Sequence, residues 1–191
     1  MKERLNHRQA YINSRAKSYC PYSNTTKLVI GSVLAAFAAI FQSAGIFVGF
    51  GYALSILATL TIVLSTMLSF RIGFMSYFLT ILLLAILQPS ELLVFSLTTG
   101  LLGVALGMAF KWWRNWIIIT VFGGAALSIG IMILLYLLRF PILGPSVSHS
   151  FDIKIALLIF LFSLLYSLIW MGLSQRISRL LFRATAIKTQ Y

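Results

Sequence analysis

The chain has 191 residues, of which 60% are hydrophobic and only 9% charged, and it carries a net charge of +12. A soluble domain carries about 25% charged residues, so this composition excludes the soluble globular classes and points to an integral membrane protein. Nor does the positive charge mark a nucleic-acid binder: the basic residues flank apolar runs, where they read as a membrane-topology signal.

Residues 1–27 form a basic tail, too long and polar for the start of a cleavable signal peptide. The single cysteine, Cys20, lies in it, so no internal disulfide is possible. Residues Ser23 to Thr26 supply capping side chains for a first helix. A crossing needs about 20 mostly apolar residues, and the expected crossings are residues 28–44, 52–69, 72–88, 91–110, 116–138 and 155–173. Residues 52–88 are interrupted only by Arg71. As one helix they would run to ~55 Å, against a hydrocarbon core of about 30 Å. Two short crossings with a tight turn at 69–73 are expected instead. Pro89, Pro141 and Pro145 fall in breaks, where a helix cannot continue.

The expected fold class is therefore an all-α integral membrane protein with six transmembrane helices and both termini cytoplasmic. The membrane domain covers 28–173, and a second basic tail covers 174–191. The positive-inside rule supports this count. All of the 15 Lys and Arg except Arg139 and Lys154 then fall inside. Trp112 and Trp113, between Lys111 and Arg114, read as an inner interfacial anchor.

No phosphate loop, HExxH, CxxC or dinucleotide fingerprint is present. Three acids, widely spaced, leave acid–base catalysis little to work with, so no enzyme is expected. His7 and His149 are too isolated to form a metal site, and no cofactor is expected. No Asp, Glu, Lys or His lies deep in a span, which disfavours a self-sufficient proton-coupled carrier.

Small residues let helices approach closely in lipid. They cluster twice: Gly31, Ala35 and Ala39 make one stripe in the first span, and Gly100, Gly103 and Gly107 another in "TTGLLGVALG". The second reads as internal helix packing. The first reads as a bare face kept for a partner helix.

Six short crossings, a basic N-tail and this alanine stripe resemble the substrate-binding S component of energy-coupling-factor transporters. "LTTGLLGVALGMAFKWWRNW" resembles the glycine-rich fourth span and basic turn of uncharacterised bacterial membrane proteins related to S components. The resemblance implies a bacterial cytoplasmic-membrane subunit that captures a small vitamin or cofactor precursor. It also implies partners: a transmembrane scaffold subunit packed on Gly31, Ala35 and Ala39, and two cytoplasmic ATPases. S components bind their ligands near the outer side, where this chain offers Gln42, Gln88, Glu91, Arg139, His149, Asp152 and Lys154, with Phe47, Phe50 and Tyr52 for ring stacking. A pocket needs apolar walls and a few placed polar groups. The alternative reading is a non-transport membrane scaffold of the rod-shape-determining MreD type, which needs helix faces for partners but no outer pocket.

Overall fold

The computed structural model describes residues 23–46, 50–113, 115–138 and 153–188, and among these every regular element is a helix. In chain order they are α1 (Asn24–Ser43), a 3-10 turn (Ala44–Ile46), α2 (Phe50–Leu68), α3 (Phe70–Leu87), α4 (Pro89–Leu97), α5 (Thr99–Trp112), α6 (Trp116–Met132), a π-helical turn (Ile133–Leu137) and α7 (Ile153–Lys188).

Local chemistry accounts for the boundaries. Ser23 caps α1 by accepting a hydrogen bond from the Thr26 amide at 3.2 Å, so the helix begins four residues ahead of the first apolar run. Ser69 alone, in an extended conformation, separates α2 from α3. The reversal is so tight that a Cβ on Gly73 would collide with the Thr66 backbone. Pro89 opens α4 at the first helical positions, where its missing N–H costs nothing, and Glu91 sits in the first turn, where the helix dipole favours a carboxylate. One span is broken: Thr98, at φ −116° and ψ −87°, separates α4 from α5.

Pairwise contacts fix the directions. Gly31 and Ala35 meet Ser76 and Thr80 in the same order, so α1 and α3 run parallel. Gly103 meets Ile62 and Gly107 meets Thr66, so α2 and α5 run parallel. Leu106 meets Gly123 while Leu97 meets Gly130, which makes α5 and α6 antiparallel. Thr120 meets Ser167 and Gly124 meets Leu164, which makes α6 and α7 antiparallel. The rods therefore alternate, with α4 and α5 as one. Asn24, Arg71, Lys111 and Arg176 gather at one end of the bundle, the Lys111 end. Ser43, Gln88 and Ile153 gather at the other, the Gln42 end.

The bundle is apolar outside and partly polar inside. Ile86 is 82% exposed, and Leu82, Leu157 and Leu161 also face outward, while Thr59, Ser65, Thr80 and Ser167 are fully buried. That inversion suits lipid as the surrounding solvent, with Thr80 and Ser167 donating to carbonyls of neighbouring helices. Among the described residues five helical segments are long and apolar enough to cross a membrane: Asn24–Ser43, Phe70–Leu87, Pro89–Trp112, Trp116–Leu137 and Ile153–Ile177. The architecture is that of a multi-pass membrane protein. The segment expected as a second crossing forms α2, whose apolar part, Leu54–Leu68, is shorter than these five. The C-terminal segment is not separate from the last span: α7 runs 36 residues, about 54 Å.

One expectation is corrected here. Gly31, Ala35 and Ala39 are buried within the chain itself, and Ala35 has 0% exposure. The bare face is covered by α3: a Cβ on Gly31 would strike Ile72, Ser76 Oγ donates to the Gly31 carbonyl at 2.9 Å, and Thr80 Oγ1 donates to the Ala35 carbonyl at 3.2 Å. The small side chains do admit a neighbouring helix, but that helix belongs to this protein.

Candidate functional site

At the Gln42 end, three elements converge on one amide. Gln42 lies one residue before the end of α1 and is 1% exposed. Its Nε2 donates to Glu91 Oε2 at 3.0 Å, on the first turn of α4. Its Oε1 accepts from Thr99 Oγ1 at 3.1 Å, on the first turn of α5. A buried primary amide needs partners for both its donors and its acceptor. Here one donor meets the carboxylate and the acceptor meets the hydroxyl, which orients the amide. The Glu91 carboxylate lies over Gly45 in the 3-10 turn, at the 3.7 Å of ordinary contact from a Cβ placed there.

Two more polar atoms border this group in sequence. Gln88 is buried and its Oε1 has no partner among the described residues; Ser43 Oγ is likewise buried and unpartnered. Leaving a buried polar atom unsatisfied costs roughly 1–3 kcal/mol. Both atoms lie at the end of the bundle that holds the Glu91 carboxylate.

The helix break positions the Thr99 side of the cluster. Interrupting a helix inside a membrane frees carbonyls that must find partners. Tyr77 OH, from α3, donates to the Ser96 carbonyl at 2.9 Å, and Thr98 Oγ1 adds a second bond to the Val94 carbonyl that already accepts the Thr98 amide. Gly130 on α6 lies directly against the Leu97 carbonyl, where a Cβ would not fit. Broken helices of this kind mark binding sites in many membrane carriers.

Of the residues singled out by sequence, Gln42 and Glu91 are joined by a hydrogen bond, and Gln88 lies three residues before Glu91. Tyr52 is in α2, with its side chain outside the described set. Phe47, Arg139, His149 and Asp152 lie outside the described residues. Gly100 packs on Phe95 and Tyr77, and Gly103 and Gly107 face Ile62 and Thr66 of α2. Sequence reasoning missed Thr99, Gly45 and Tyr77. The paired threonines of "TTG" inside an apolar span were the available signal for the break. Among the described residues no three His, Cys, Asp or Glu gather as a metal site.

The cluster therefore rests on its own geometry. No family model matches the chain, and no curated protein or solved structure does.

Proposed function

We propose that this protein is the substrate-capture membrane subunit of an energy-coupling-factor-type importer, taking up a small vitamin-like molecule and energised by partner ATPases. The observation that carries the reading is the Gln42–Glu91–Thr99 cluster, a buried amide clamped between a carboxylate and a hydroxyl at a broken helix. It gathers a carboxylate, an amide and a hydroxyl at one end of the bundle, a set of the few placed polar groups that a polar solute needs. The sequence itself holds no phosphate loop, so the energy would come from other chains.

In this reading six rods cross the bacterial cytoplasmic membrane with both termini cytoplasmic. Supporting it, the alternating rods bring Lys27, Arg71, Lys111 and Arg176 to the end that the positive-inside rule assigns to the cytoplasm. The Glu91 cluster then faces outward, where a solute is met. The shared scaffold subunit cannot dock on the alanine stripe, which α3 occupies, and must use an outer face of the bundle. That same burial removes one feature on which the resemblance to S components rested, and so weighs toward the second reading, a membrane scaffold of the MreD type. Purification followed by mass spectrometry of extracted small molecules separates the two. A capture subunit retains a solute that Glu91→Gln loses; a scaffold retains none, and its depletion changes cell shape with uptake unaltered.

A further inference from the structure

The Lys111 end holds a cleft that the solute site does not use. It has a volume of about 410 Å³ and is lined by Thr66, Phe70, Gly107, Met108, Lys111 and Trp112, where the end of α2 and the start of α3 face the last turns of α5. It exists because Gly107 brings α5 against Thr66 without filling the space beyond. Its walls are apolar, and two of them, Phe70 and Trp112, are open to the surroundings, Trp112 at 77% exposure. The one hydroxyl in the lining is already committed: Thr66 Oγ1 donates to the Ile62 carbonyl at 2.8 Å. Among the described residues the one charge in the lining is the Lys111 ammonium, and exposed Arg71 follows Phe70 in the chain.

The geometry points to a binding site for one anionic phospholipid, its acyl chain in the Phe70–Met108–Trp112 cleft and its phosphate on Lys111. Charge complementarity selects the occupant. In a zwitterionic lipid the headgroup cation offsets the phosphate, while an anionic headgroup gains about 1 kcal/mol from each basic residue at the surface. A free phosphate would find one ammonium and apolar walls, so the chain-bearing form is the one that fits. An apolar cleft with a cation at its mouth, beside exposed tryptophan, matches the interface between acyl chains and headgroups. The site is independent of the solute site and stands or falls without it.

The test uses the full chain in detergent, titrated with phosphatidylglycerol or phosphatidylcholine, with bound lipid counted by native mass spectrometry. Wild type retains phosphatidylglycerol about five-fold more tightly than phosphatidylcholine. Lys111→Gln abolishes that preference and Lys111→Arg keeps it. Arg176→Gln, at the same end but outside the cleft, leaves it in place. Phe70→Ala weakens retention of both lipids. Glycerol phosphate at equal concentration displaces nothing. The proposal is overturned if Lys111→Gln keeps the preference, if Arg176→Gln erases it equally, if Phe70→Ala has no effect, or if glycerol phosphate competes.

Discussion

Replacing Ala35 by leucine tests whether the small-residue stripe is an internal seam. Ala35 is fully buried between α1 and α3, and its carbonyl accepts Thr80 Oγ1 at 3.2 Å. Leucine adds three carbons where no space exists, so α3 must move off or distort, and the Thr80 bond goes with it. Overpacking of this kind costs about 1–3 kcal/mol. In a chain of this length each kcal/mol moves the midpoint by about 2–4 °C, so the melting temperature should fall by about 2–12 °C. Ala36, the next residue, is exposed, and leucine there meets only lipid or detergent. That substitution should stay within about 0.5 kcal/mol of wild type. Fluorescence-detected size-exclusion of heated samples of the isolated chain measures both. Equal melting temperatures for Ala35→Leu and Ala36→Leu would refute the assignment and return the stripe to the membrane as an open face.

Three other outcomes follow from the same geometry. A double-mutant cycle of Gln42→Leu and Glu91→Leu should give a coupling of about 1 kcal/mol, within the range measured for interhelical hydrogen bonds in membranes; SDS-induced unfolding of the four proteins checks it. Gly130→Ala should cost more than about 2 kcal/mol because its Cβ meets the Leu97 carbonyl, whereas Gly172→Ala, with nothing within 4 Å, should be neutral or slightly stabilising. Tyr77→Phe should lower stability by about 1 kcal/mol by stranding the Ser96 carbonyl at the break, read in the same unfolding assay.

The rods themselves were legible because length, hydropathy and prolines act locally. The turn at Ser69 followed from the mismatch between a ~55 Å helix and a ~30 Å core. The break at Thr98 left only the "TTG" pair as a trace, with no proline to mark it; it is held open by Tyr77 and Gly130, which arrive from other helices. The alanine stripe announced close approach correctly but could not name the neighbour, since small side chains carry no information about which helix lies against them. Gln42 and Glu91 were each visible as polar residues near span ends. Their pairing spans 49 positions, and periodicity within either helix says nothing about it.

Orientation underlies both proposed sites, because a solute must meet the Glu91 cluster from outside and the Lys111 cleft must face the inner leaflet. In a Cys20→Ser background, single cysteines replace exposed Ser90, beside the cluster, and exposed Asn115, at the basic end. Intact cells are treated with a membrane-impermeant maleimide and then lysed. The account predicts labelling of Ser90→Cys before lysis and of Asn115→Cys only afterwards; the opposite order, or both labelled together, would contradict it.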